Sequence, residues 1–353
     1  MTDTPRSYPI LSYAFEAVVT IAVVFGFTTL VLLIAGAPPL ESYSQLYQGS
    51  LGSWSKLTHV IKVWIPLTLC SCGLLYTFRI GLWNIGVEGQ VMMGAVFTTF
   101  ILRSGTAGLH PQPFLAYSLL AGIAGGALWA LFAGYLKTRG GVHEIFAGLG
   151  LNFVAQGFLL WLIFWPWKRP GIASMSGTET FPEVMWLPSL SSLRISHLGI
   201  GMAVLAIIIT LLMLRYTKFG LYLKAIGNNA NASHLFGLRP GIYMLLAMIC
   251  AGGFAGLAGG IQVTGVYHRL IPAISSNYGY LALLVVMLAN FSVWLSPLVA
   301  FFFACLNVGS IQLPMMLQLD SSLSGVIQGS LVLATLAVHA LRTRMRKKGA
   351  GKV

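Results

Sequence analysis

Charge is what this chain has least of. Only 8% of its 353 residues are Asp, Glu, Lys or Arg, against about 25% in soluble proteins. Aspartate is nearly absent: Asp3 stands near the start and Asp320 in a loop between apolar runs. A mechanism built on paired carboxylates therefore has little to use. The seven histidines are scattered, with no His-Glu-x-x-His pair to hold zinc. There is no Gly-x-Ser-x-Gly turn to present a nucleophile and no Gly-x-x-x-x-Gly-Lys-Ser/Thr loop to cradle phosphates. Any ATP must be used on another chain, and no cofactor is expected on this one. Cysteine is scarce too. Cys70, Cys72, Cys250 and Cys305 all fall inside apolar segments, which argues against a disulfide framework or zinc site and leaves them as small buried packing residues.

Apolar side chains take the place of charge. They make up 57% of the chain, and the mean hydropathy is +0.82, more than a soluble core absorbs. About 20 apolar residues cross the hydrocarbon of a bilayer. By that measure the fold class is all-α integral membrane, with about ten transmembrane helices near 13–36, 57–79, 87–103, 113–136, 145–165, 198–214, 242–264, 278–290, 295–311 and 322–341. The eighth and ninth are short. The first run has "AGA" at 35–37, which resembles a signal-peptide cleavage site. At about 24 residues, with Glu16 near its start, it exceeds the usual apolar region of about 7–15, and an uncleaved span is expected. The net charge of +13 is dispersed over short loops and a basic tail from Arg342, which points to membrane orientation and not to nucleic acid. With the N-terminus inside, about 14 of the 21 Lys and Arg fall on the cytoplasmic side, including Arg79, Lys137, Arg215, Lys224 and the tail. Both termini are then cytoplasmic.

Two loops are long. Residues 166–197, expected outside, mix Pro, Trp and Ser and suit either a partner surface or an interfacial linker. Residues 215–240, expected inside, contain "GNNANASHLFGLRPG". Asn228 or Asn229 is a good N-cap there, Gly237 a stop, and Pro240 a break before the next span. The product is one short helix across the cytoplasmic face, bearing Ala230, Ala232, Ser233 and His234 between Gly227 and Gly237. It serves either to dock in a groove on another protein or to connect two spans.

Residues 57–165 and 240–341 share an order of features, with "GLWNIGVEGQVMMGAV" in the first half at the place of "AISSNYGYLALLVVML" in the second. This suggests a parallel pseudo-repeat within a single transmembrane domain covering 1–353. The first of these stretches, "FRIGLWNIGVEGQVMMG", carries four glycines and one of six glutamates between two apolar runs. Each Gly costs a helix about 1 kcal/mol relative to Ala, so a break is expected near Gly81 to Gly86. Two readings of its polar residues stay open. Asn84 caps the next helix while Glu88 complements its dipole, or Asn84, Glu88 and Gln90 face a solute passage, since polar backbone at membrane depth lines protein or a wet cavity. Asn152 and Gln156, one turn apart, share a face with such a passage or bond between helices. The small residues of "AGGFAGLAGG" at 251–260 are expected to pack helices.

"FRIGLWNIGVEGQVMMGAV" resembles the signature after the second span in permease subunits of bacterial ABC importers of the ribose and nucleoside type. "TKFGLYLKAIGNNANASHLFGL", followed by "AGGFAGLAGG", looks like the same family's cytoplasmic loop and next helix. "NIGVEGQ" is most similar to the branch handling nucleosides and related purines, with riboflavin uptake close by. Trp83 departs from the small apolar residue or Phe expected at its place, and either narrows the passage or packs outward. The resemblance implies a second permease, identical or paralogous, a pair of ATP-binding subunits carrying ATP and Mg, an extracytoplasmic solute-binding protein, and location in the bacterial inner membrane. It makes Gly227, Asn228, Asn229, Ala232, Ser233, His234 and Gly237 the segment that couples to ATP hydrolysis. Asn84, Glu88 and Gln90 match the nucleoside branch, which supports membership without showing that they touch solute.

Overall fold

A computed structural model describes residues 38–105, 111–169, 171, 176–189 and 195–317, with isolated positions between 22 and 36 and between 326 and 337. The expected spans at 13–36 and 322–341 and the basic tail lie wholly or largely outside the described residues. Helices run Pro39–Ser50 (α1), Trp54–Arg79 (α2), Val87–Arg103 (α3), Pro111–Thr138 (α4), Glu144–Phe164 (α5), His197–Tyr216 (α6), Lys218–Asn228 (α7), Ala230–Leu235 (α8), Pro240–Ile261 (α9), Tyr278–Leu288 (α10) and Ser296–Leu317 (α11). A π-helical turn, Gln262–Tyr267, extends α9. No strand forms among the described residues, beyond one antiparallel bridge between Ser189 and Ser196.

Five helices among the described residues are long and apolar enough to cross a membrane: α2, α4, α5, α6, and α9 with its π turn. The expected spans between 57 and 311 each coincide with a helix, but α3 has 17 residues and α10 only 11. Both of these begin at an irregular stretch, so the short eighth span is a half-helix.

Two compact units divide the chain, Thr58–Ala304 and Met1–Leu57 with Cys305–Val353. In the second, α11 approaches α1 so closely that a Cβ on Gly309 would come 2.6 Å from the Leu46 carbonyl oxygen. In the first, α3, α4 and α9 meet backbone to backbone. A Cβ on Gly94 would collide with Gly256, and one on Gly126 or Gly252 with the other's helix. Lipid tails offer helices no hydrophobic drive to associate, so close approach through small residues supplies the packing. This is the expected role of "AGGFAGLAGG". Cys70 and Cys72 are buried, but Cys250 and Cys305 are only partly so, a departure from four buried packing residues.

The outer loop is not a loose linker. The amides of Thr178, Phe181 and Leu187 donate to the carbonyls of Leu270, His268 and Thr264 at 2.9, 2.9 and 3.0 Å, and Trp186 stacks on His268 with centroids 3.8 Å apart. The inner loop holds two helices where the sequence reading placed one. α7 buries Gly220, Leu223 and Ile226 on one face, and Thr217 caps it by accepting from the Gly220 amide, so an apolar stripe at helical spacing and an N-cap were both present in the run. α8 forms as expected. Asn229 Oδ1 accepts from the Ala232 amide at 3.0 Å, Gly237 adopts φ +83°, and Pro240 opens α9.

Candidate functional site at the helix breaks

The chain between α2 and α3 is irregular from residue 80 to 86, and Gly81 takes φ +83°, a conformation that only Gly adopts without strain. Asn84 does not cap α3. The N-cap is Gly86, with no side-chain hydrogen bond, and Asn84 stands two residues further upstream. Its amide pairs instead with that of Gln90: Nδ2 donates to Oε1 at 3.1 Å and Nε2 donates back to Oδ1 at 2.9 Å. Asn84 and Glu88 are 1% exposed and Gln90 0%.

Asn152, from α5, takes the role expected of Asn84. Its Oδ1 accepts from the Gly89 amide at 2.8 Å, one of the orphan donors in the first turn of α3. Its Nδ2 donates to the Ile85 carbonyl and to the Tyr280 hydroxyl, both at 3.0 Å. Both amide protons are thereby used. Gln156 does not join this cluster; its Nε2 donates to the Pro272 carbonyl at 3.1 Å. Asn152 and Gln156 thus tie α5 to two stretches of non-helical backbone, the interhelical use of such residues.

Glu88 caps a different helix from the one it belongs to. Its Oε2 accepts from the Gly279 amide at 2.8 Å, at the start of α10, whose N-cap residue Asn277 is left-handed (φ 59°) and offers no side-chain cap. The carboxylate therefore meets the positive end of a helix 191 residues away in sequence. Ser275 and the backbone at Asn277 and Tyr280 stand beside it, but no hydrogen bond of good geometry reaches Oε1, which is buried. Gly279 permits the approach: a Cβ there would come 2.6 Å from Oε2. Beyond the other end of α10, in the turn that follows Leu288, the Phe291 ring lies 5.2 Å from that of Phe78 near the end of α2, so about 16 Å of helix separates that turn from the end capped by Glu88.

Gln262 was not singled out from the sequence. It opens the π turn, is 1% exposed, and has neither amide atom in a well-formed hydrogen bond, although the Tyr278 phenol lies next to it. A lone amide in the apolar run "AGGIQVTG" was the available signal. Trp83 is 41% exposed and edge-on to Phe78, with centroids 5.2 Å apart.

The residues expected to couple to ATP hydrolysis occupy a separate place but touch the break. Gly227, at the end of α7, lies against the carbonyl of Arg79 and the backbone of Ile80, where a Cβ would overlap. In α8, Ser233 is buried and donates to the Asn229 carbonyl at 2.9 Å. Leu235 and Phe236, just after it, are each 88% exposed.

No group of three or more His, Cys, Asp and Glu that could hold a metal occurs among the described residues. Buried amides and a carboxylate thus gather where helices are interrupted, a type of place at which membrane transporters hold polar groups. Residues 56–336 match the family described as the permease component of the branched-chain amino acid transport system, and the chain belongs to that family. It is similar to the glucose ABC transporter permease protein TsgB13 of Haloferax volcanii, at 27% identity over 94% of this chain and 89% of the relative. The guanosine ABC transporter permease protein NupP of Bacillus subtilis is 27% identical over 94% of this chain and 96% of its own. The nucleoside ABC transporter permease protein NupB of Lactococcus lactis is 24% identical over 82% of each.

Proposed function

We propose that this chain is the transmembrane subunit of an ATP-driven importer that carries a nucleoside or a related polar small molecule across the bacterial cytoplasmic membrane, with both termini inside. ATP and Mg belong to a pair of ATP-binding subunits. A second permease, identical or paralogous, completes the path, and an extracytoplasmic binding protein delivers the solute. The carrying observation is the buried cluster of Asn84, Glu88 and Gln90 at the break before α3, with Glu88 reaching the start of α10. Irregular backbone within a membrane persists only where protein or a water-filled path surrounds it. In the other state of the transport cycle, separation of the breaks would free the amides of Asn84 and Gln90 and the second oxygen of Glu88 for a solute.

The ATP-binding subunits dock on α8. Two neighbouring apolar side chains, Leu235 and Phe236, project almost wholly into solvent at the C-terminal end of a capped helix, as a helix-in-groove contact requires. Movement of α8 reaches the break through Gly227. Glucose transport by the relative TsgB13, at the same 27% identity as the guanosine permease, favours a simple sugar as the second reading. Uptake of labelled guanosine, ribose and riboflavin by cells with and without this chain decides between them. Loss of nucleoside uptake alone is the expected result; loss of sugar or flavin uptake alone overturns the nucleoside reading. Ala232→Arg should abolish uptake while solute binding by the separate binding protein persists.

A further inference from the structure

At the end of the bundle where α2 and α6 finish, a cleft of about 640 Å³ opens between these helices, α7 and the turn after α10. Arg79, Arg215 and Lys224 line it. All three are exposed, and among the described residues none forms an ion pair, in contrast to Lys137, which meets Glu144 at 2.7 Å. Arg215 lies over the Tyr216 ring at 5.7 Å, so only its face is occupied. One turn deeper along the same helix faces, Leu75 precedes Arg79 and Leu211 precedes Arg215, and both leucines line the cleft. Phe291 and Trp294 form the far wall, and Trp294 is 62% exposed, as suits a ring at the membrane–water interface.

The cleft therefore changes from apolar to cationic along the direction in which two spanning helices cross the membrane. We propose that it is a binding site for an anionic phospholipid of the phosphatidylglycerol type, its phosphate among Arg79, Arg215 and Lys224 and the start of an acyl chain against Leu75 and Leu211. Basic pockets between spanning helices take acidic headgroups in this way. An acidic protein segment would use the cations but not the apolar extension below them. The inference stands apart from the transport reading, since it needs only a membrane-spanning bundle.

The test is a binding titration of the full chain in detergent with short-chain phosphatidylglycerol, phosphatidylcholine and glycerol phosphate, joined to photolabelling by a phosphatidylglycerol analogue. The lipid anion should bind more tightly than the other two, and Arg79→Gln, Arg215→Gln and Lys224→Gln should each weaken it about fivefold. Arg215→Lys should retain most of the affinity, and label should map to 211–224 and 291–294. The three cations are exposed, so monodisperse elution of the Gln variants is expected and is checked first. Equal binding of the two lipids, unchanged affinity in the variants, or label elsewhere overturns the proposal. Glycerol phosphate binding as tightly as the lipid assigns the cleft to free phosphate. Loss of label on addition of the co-purified ATP-binding subunits assigns it to a protein partner.

Discussion

Replacing Asn152 by Ala separates a structural latch from a solute ligand. The native amide makes three hydrogen bonds, a buried one accepted from Gly89 and two partly buried ones donated to Ile85 and Tyr280. Side-chain hydrogen bonds between membrane helices average about 0.6 kcal/mol, so three sum to about 2 kcal/mol. Two of the abandoned partners are backbone groups with no alternative in a buried break, and an orphaned buried group costs about 1–3 kcal/mol. A loss of about 3 kcal/mol is therefore expected for Asn152→Ala, and less for Asn152→Asp, which keeps the acceptor for the Gly89 amide. Reversible unfolding in mixed micelles measures the difference. A loss below about 0.5 kcal/mol would refute the latch, because it is less than one average interhelical bond where three are deleted. A raised transport KM at unchanged stability would refute it too, and would return Asn152 to the solute path.

Three further outcomes follow from the same geometry. Glu88→Gln retains an acceptor for the Gly279 amide and should cost up to about 2 kcal/mol through the lost charge at the α10 N-terminus, while Glu88→Ala should cost more; equal losses by thermal unfolding would remove the helix-end interaction from the account. Gly227→Val should leave the protein folded but uncouple it, with ATP hydrolysis no longer stimulated by solute, because the side chain drives α7 off the Arg79–Gly81 backbone; normal solute-stimulated hydrolysis in reconstituted membranes would sink the contact as a transmission point. Burial, with the charge of Lys62 adding to it, holds the His268 imidazole below its ordinary 6.5. As pH falls through 6.5 the opened outer loop takes up its proton before the closed one does, so closure weakens with acid, is unchanged above that range, and levels off below the closed-state value. Hydrogen exchange at the Phe181 and Leu187 amides, corrected for intrinsic rate, should quicken at low pH, and His268→Gln should abolish the dependence.

The interruptions were legible in the sequence; their partners were not. Gly81, Gly86 and Gly89 announce a break because glycine weakens a helix wherever it falls, and Asn229, Gly237 and Pro240 mark the ends of α8 and the start of α9 by chemistry local to each residue. Nothing within a few residues of Glu88 reveals that it serves a helix 191 positions on, or that Asn152 supplies the cap first sought from Asn84. Capping by a distant side chain depends on tertiary placement, and a single sequence contains no term for it. Gln262 escaped for a related reason: its neighbours are small and apolar, so the π turn that isolates its amide leaves no periodic trace.

The two breaks depend on each other. α3 begins at Val87 and α10 at Tyr278, at nearly corresponding positions of the two stretches whose likeness suggested a pseudo-repeat. The carboxylate from the first stretch closes the exposed amide end of the second, and Asn152 joins both by bonding Gly89 on one side and Tyr280 on the other. Neither half-helix start is satisfied alone. A displacement that parts them exposes a carboxylate, helix amides and side-chain amides together, which is a polar site that exists only when the breaks are open. Gly227 sets the end of α7 against the backbone of the first break. Under the transport reading proposed above, a push on α8 would act on the stretch whose separation from its counterpart would create the site, so solute affinity and ATP-driven motion would share one element.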